Sequence, residues 1–262
     1  MRKHFVYLMT AMLAVSLTAG CASKYGAQKT TVQYYPACYD PIKKLRDSEY
    51  STAKGTAGGA ALGAVGGALL GFLASGGKVE GAVAGGVAGG VAGGVIGNQV
   101  AKNNKIADDN RRMAAYMEDI DGSIAGLNVD TASATASLQC YDKQFKLLVA
   151  AIKQKRVSRD EAQRMFAEIQ SGTQEASAVL GRLENNAQEM EQQYRSALAS
   201  EEQTLERKNA SSQARNDLRR AQKKVGNFQT SKAKVSAQKA EADNQLRAQQ
   251  AELNSVLASS QT

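Results

Sequence analysis

Three thiols, a few adjacent carboxylates and one arginine/lysine cluster are the residues of this 262-residue chain whose types and spacing bear on chemistry. The cysteines are Cys21, Cys38 and Cys140, far apart and without a CxxC spacing, so neither a zinc set nor a dithiol redox centre is indicated. What thiols in this pattern can do is accept an acyl group or oxidise to a disulfide. The carboxylate pairs Asp108-Asp109 and Glu201-Glu202 read as solvated helix faces rather than as acid/base pairs. Arg219, Arg220, Lys223 and Lys224 form a cationic patch with no aromatic residues interleaved for base stacking, which argues against nucleic acid. Two readings of that patch stand: contact with an anionic surface of lipid headgroups or wall polymer, or pairing with an acidic helix of the same chain.

The N-terminus supplies the acylation context. Met1-Arg2-Lys3-His4 is basic, residues 5–16 are apolar, and Leu17-Thr18-Ala19-Gly20-Cys21 closes the run with small residues before a cysteine. This resembles a bacterial lipoprotein signal, which implies cleavage after Gly20, diacylglycerol on Cys21 and acylation of the new amine. Several acyl chains anchor firmly where one binds only marginally. Ala22 and Ser23 follow, and a sorting rule that retains lipoproteins at the inner membrane asks for Asp there, so the expected address is the outer membrane, facing the periplasm. His4, the only histidine, leaves with the signal. The mature chain therefore lacks imidazole-activated nucleophiles and His-containing metal sets, and no enzyme activity, metal or cofactor is expected.

With Cys21 acylated, Cys38 and Cys140 remain, an even number in an oxidising compartment, and a disulfide between them is predicted. Reach is the difficulty. A straight helix over 104–140 puts Cys140 about 54 Å above the membrane, and the chain from Cys38 to Gly55 spans at most about 58 Å when extended. A helix starting at Asp40 as N-cap with Pro41 at N1 and running through Lys54 would make the bridge impossible. Three solutions stay open: a bend between Gly122 and Thr135, a bond between two chains, or two free thiols.

The elements that must position these groups are helical. Gly55, Gly59, Gly63, Gly67 and Gly71, then Gly77, Gly81, Gly85, Gly89, Gly93 and Gly97, recur every fourth residue in an almost uncharged Gly/Ala/Val stretch. A stripe without side chains lets helix backbones approach closely in a membrane, and Ser75-Gly76-Gly77-Lys78-Val79-Glu80 is the turn of a helical hairpin over 55–100. From residue 104 the apolar spacing becomes heptad-like. Met113, Met117, Ile120, Ile124, Leu127, Thr131, Ala134, Leu138, Tyr141, Phe145, Leu148 and Ile152 form one seam. A capping box, Ser158 to Glu161, opens a second seam through Ala162, Phe166, Ile169, Thr173, Ala176, Leu180, Leu183, Ala187, Met190, Tyr194 and Ala197. Gly172 and Gly181 each weaken that helix by about 1 kcal/mol. Beyond Leu198 the seam degrades at Glu201, Lys208, Ser212 and Arg215, then resumes at Leu218, Ala221, Val225 and Phe228. Acids outnumber bases ten to four over 159–206, and bases dominate over 207–247, which favours an antiparallel fold-back near Lys208 to Ser212. No Gly or Pro marks that bend, so one uninterrupted helix of about 150 Å is the alternative. Tyr34, Tyr35, Tyr39 and Tyr50 form either an interfacial belt or a packed apron around Cys38.

The lipobox at Leu17 to Cys21 and the ladders at Gly55 to Gly71 and Gly81 to Gly97 resemble glycine-zipper two-transmembrane lipoproteins of the outer membrane, the surface-antigen type. That resemblance covers about a third of the chain and implies a role in envelope integrity. The whole reads as an all-α protein: a signal at 1–20, a lipidated segment at 21–54, the glycine hairpin at 55–100, and a periplasmic arm of long antiparallel coiled-coil helices at 104–262. The expected function is a non-enzymatic scaffold or tether whose partners are membrane lipid and either a second copy or a helical envelope protein. The alternative is an oligomeric glycine-zipper pore or a subunit of a secretion or efflux complex.

Overall fold

Ser158 caps the helix that follows it, its side chain accepting from the Glu161 N–H at 3.3 Å, and Asp108 does the same for Arg111 at 2.8 Å. Such caps satisfy backbone donors that have no intrahelical partner, and here they start two of four helices. The computed structural model describes residues 25–55 and 108–259, with side chains described for 25–47 and 108–259. Its helices are α1 (Pro36–Gly55), α2 (Asp109–Lys153), α3 (Arg159–Arg207) and α4 (Ser212–Ser259). There is no strand among the described residues, and the fold class is all-α.

Helices α2, α3 and α4 pack against one another as a three-helix bundle. Ser123 on α2 meets Tyr194 on α3, and Arg112 meets Glu201, so these two run antiparallel. Ser177 meets Asp243 and Glu191 meets Lys232, so α3 and α4 are antiparallel as well. Asp121 with Lys224 and Thr135 with Gln238 set α2 and α4 parallel. Both seams face the interior, with Met117, Ile124, Thr131 and Met190 half-buried and the other seam positions buried. The buried stripes are wider than the seams. Tyr116, Val129 and Val149 on α2, and Val179, Leu198 and Leu205 on α3, are also covered, as helices with several packed neighbours require.

The long straight helix is overturned. Two turns connect the bundle helices, each through a non-glycine residue in left-handed conformation, Lys155 and Asn209, both with φ of 54°. At the second turn Ala210 N–H reaches the Leu205 carbonyl at 2.9 Å and Asn209 N–H the Glu206 carbonyl at 3.1 Å, the paired bonds of a Schellman ending. Asparagine tolerates that conformation better than most residues. Ser211 then caps α4, accepting from Ala214 N–H at 3.1 Å.

The start of α1 also differs from the expectation at Asp40. The helix opens at Pro36, where a missing N–H costs nothing, and Pro41 lies inside it. Packing holds this start: Tyr35, Cys38, Tyr39, Ile42 and Leu45 are buried on the groove between α2 and α3. The tyrosines form the packed apron, with Tyr35 and Tyr39 buried and Tyr34 half-buried, while the Tyr50 side chain lies outside the described residues.

Gly172 is not a weakness in α3. The Tyr141 ring lies against its backbone so closely that a Cβ there would fall 2.2 Å from the ring. A Cβ at Gly226 on α4 would meet nothing within 4 Å. Gly172→Ala is therefore expected to lower stability by roughly 1–3 kcal/mol through overpacking, while Gly226→Ala raises it by about 1 kcal/mol through helix propensity. Urea midpoints of the two variants check both signs.

Candidate functional site

Residues 25–35 carry no regular structure before α1, yet they lie against the bundle, and an extended chain there needs acceptors for its N–H groups. Two glutamates of α3, seven residues apart and hence on one face, provide them. Glu168 accepts from Gln33 N–H at 2.9 Å, Tyr34 N–H at 2.6 Å and Tyr35 N–H at 2.9 Å. Glu175 accepts from Lys29 N–H at 3.0 Å, Thr30 N–H at 2.7 Å, the Thr30 hydroxyl at 2.6 Å and the Tyr39 hydroxyl at 2.9 Å, and it pairs with Arg46. Only 5% of Glu168 and 3% of Glu175 is exposed. Arg46 closes the circuit by donating to the Gly26 carbonyl at 2.9 Å and to the Tyr39 hydroxyl.

Burial pushes the Glu175 carboxyl toward protonation, but the bonds from Thr30, Lys29 and Tyr39 outweigh it and hold the group below its ordinary value of 4.5. Burial, with the charge of Glu168 adding to it, pushes the Tyr35 phenol up to about 12. Tyr39 and Tyr141 are raised for the same first reason, burial. These carboxylates are occupied by fixed donors, which makes them clamps rather than proton shuttles. Among the described residues no group of three or more His, Cys, Asp or Glu could hold a metal ion.

Beyond the clamp, Cys38 and Cys140 form a disulfide within the chain, with Cα atoms 5.1 Å apart, and Ser137 donates to the Cys38 carbonyl at 2.7 Å. Both the helical α1 and the bond exist, so the reach calculation fails at its premise that Gly55 and the start of the arm share one level. Cys38 to Gly55 covers about 25 Å of helix and Asp109 to Cys140 about 46 Å. α2 runs as one unbroken helix from Asp109 to Lys153, so the chain does not turn back between Gly122 and Thr135.

A second feature sits at the opposite end of the bundle from the α2–α3 turn. Arg112, buried, reaches Glu201 at 2.8 Å and Asp109 at 2.5 Å, and Lys208 approaches Asp109 at 3.6 Å, which ties the start of α2 to the α3–α4 turn. The hydrogen bond from Arg112 keeps the Asp109 carboxyl below its usual range. The cationic patch lies beside this latch on the first turns of α4. Lys224 pairs with Asp121 of α2 at 2.5 Å, and Arg220 pairs with Asp217. Arg219 donates to Asn216, and Arg215, Arg219 and Lys223 are exposed at four-residue intervals, one stripe on the helix surface.

Cys21 and the glycines from Gly59 to Gly97 lie outside the described residues, and Gly55 is the last residue of α1. Among the described residues no helix is long and apolar enough to cross a membrane. The sequence reading missed Glu168, Glu175 and Arg46. The available signal was position: each glutamate directly precedes a seam residue, Ile169 or Ala176, and so flanks the core.

Residues 1–101 match the family model of the YMGG-like Gly-zipper, which establishes a glycine-zipper segment there and supports membrane association. No curated protein sequence and no solved structure shows significant similarity to the chain.

Removing the clamp or the disulfide has separable consequences. Glu175→Gln should lower stability at pH 7 by roughly 3 kcal/mol, the range for breaking a buried charged pair. Since the folded Glu175 keeps its charge to lower pH than the free side chain, its contribution is complete above pH 4.5 and is lost as pH falls through the depressed value. Melting curves by circular dichroism should thus fall more steeply below that pH for the wild type than for Glu175→Gln. The disulfide closes a separation of 102 residues, and Cys140→Ser should cost about 2–5 kcal/mol in urea titration.

Proposed function

We propose that this protein is a non-enzymatic lipoprotein of the outer membrane, acylated at Cys21, that presents its helical bundle in the periplasm as an envelope scaffold or tether. The observation that carries the reading is mechanical. The residues that follow Cys21 almost immediately are fastened to the bundle by two buried carboxylates and, at Cys38, by a covalent bond to α2. A pull on the acyl anchor would reach the bundle within four residues, at the buried Tyr25. The glycine-zipper match over 1–101 supports membrane association of the same end of the chain.

The bundle surface supports binding rather than catalysis. Carboxylates in the buried clamp are engaged by backbone donors, and the exposed stripe of Arg215, Arg219 and Lys223 fits an anionic envelope polymer or lipid. Metabolic labelling with an alkyne fatty acid, followed by membrane fractionation, tests the anchor. Wild type should carry label and sediment with the outer membrane, and Cys21→Ser should carry none. Unlabelled wild-type protein would sink the proposal. Replacing Arg219 and Lys223 by Glu should weaken binding to anionic vesicles or wall fragments, with a shallower salt dependence, in co-sedimentation.

A further inference from the structure

The shortness of the segment after Cys21 restricts how the bundle can sit on a membrane. Tyr25 is 3% exposed and donates its hydroxyl to Asp130 at 3.0 Å. Asp130 stands at the waist of α2, about 32 Å along the helix from Asp109 and about 35 Å from Lys153. Gly26, next in the chain, lies against Arg182 of α3 and is gripped by Arg46. The waist attachment is therefore built from three helices and does not depend on one contact. Cys21 precedes Tyr25 by four residues, which span at most about 14 Å when fully extended.

We propose that the acylated protein lies along the bilayer surface, with residues 25–47 toward the headgroups and α4 away from them, rather than standing as a stalk. This rests on the reading of Cys21 as the acylated residue. A rod held at its waist within about 14 Å of the surface cannot stand upright, because one half of about 32 Å would have to enter the bilayer. The ends forbid that entry: one carries Asp109, Arg111 and Lys208, the other Lys153, Lys155 and Arg156. Charges at bilayer depth are costly. A height of about 14 Å over a half-length of about 32 Å limits the tilt to about 26° from the membrane plane.

The face turned down suits a headgroup layer. Lys29, Lys43 and Lys44 are exposed there, with Lys43 and Lys44 balanced by Asp47 and Asp40, and Tyr39, Ile42 and Leu45 of α1 are buried against the bundle. The acyl chains supply the depth, and the protein face supplies polar contact. Residues 25–35 and α1 occupy the groove between α2 and α3, so α4 lies on the far side of the bundle. Its stripe of Arg215, Arg219 and Lys223 consequently faces the periplasm, toward an anionic partner other than the lipid that holds Cys21.

Energy transfer to a lipid-borne dye tests this on the full mature chain, purified with its lipid and reconstituted in phosphatidylethanolamine/phosphatidylglycerol vesicles. Dyes are placed singly through Asn209→Cys and Lys155→Cys at the two ends, and through Lys43→Cys and Ala233→Cys on opposite faces. The two ends should differ in height by less than about 30 Å, with residue 43 nearer the lipid than residue 233. A larger difference between the ends, or a reversed order of the faces, overturns the proposal. A photoactivatable headgroup crosslinker on the unsubstituted chain gives the same answer without new thiols: crosslinks within 25–47 support it, and crosslinks concentrated in α4 overturn it. Intact mass separates the two levels of failure. A chain without acyl groups sinks the lipoprotein reading itself, whereas an acylated chain with one raised end sinks only the orientation.

Discussion

An extended peptide laid on a helical bundle exposes backbone N–H groups that helices cannot pair, because helical carbonyls are already engaged along their own axes. In this molecule two buried carboxylates on one face of α3 take those donors, Glu168 at the approach to α1 and Glu175 beside Thr30. A buried carboxylate is tolerable only when its lone pairs are filled, and each of these has at least three donors. Segment and bundle therefore depend on each other: without residues 29–35 Glu168 would lose its three backbone donors and Glu175 would keep only Tyr39 and Arg46, and without the glutamates the segment would have no register. The position of α1 and the meeting of Cys38 with Cys140 both follow from this arrangement.

Close approach is the second theme. Tyr141, adjacent to Cys140, packs its ring on the bare backbone of Gly172, and its hydroxyl and that of Thr173 are buried without hydrogen-bond partners. Contact with the ring is gained at the expense of two unpaired hydroxyls, so this stretch of α2 and α3 is held by shape more than by polar matching. Charge works elsewhere. Glu191 gathers Arg195, Gln229 and Lys232, and Arg112 gathers Glu201 and Asp109, so ion pairs pin the α3–α4 contact and the latch end while aromatic packing fills the part near the disulfide.

Under the proposed acylation of Cys21, the anchor is only four residues from Tyr25, which is buried on the bundle. A scaffold joined to its lipid by a loose linker samples many orientations, whereas one fastened at the waist of a rod presents a defined face. The glycine-zipper segment at 1–101 and the bundle at 108–259 are thus linked through residues that belong physically to the bundle core, even though sequence composition separates them.

The alternation of apolar residues by fours and threes, the cap at Ser158 and the change of charge after Glu206 were enough to establish helices, their inward faces and the preference for folding back. These are local properties, determined by a helix periodicity that every sequence shares. The fold-back near Lys208 to Ser212 was legible from that change of charge, but the left-handed Asn209 that makes the turn was not, because asparagine is permitted in that conformation anywhere and adopts it only where packing stops the helix. Glu168, Glu175 and Arg46 carry no local signature either, since a glutamate beside a core seam looks like any solvated helix residue until a distant segment covers it. Cysteine parity named Cys38 and Cys140 as the pair, but which segment covers the groove, that the disulfide closes within one chain, and that Gly172 is a contact rather than a flaw were decided by tertiary structure, because each depends on side chains a hundred or more residues apart, or on a facing helix, coming within a few ångströms.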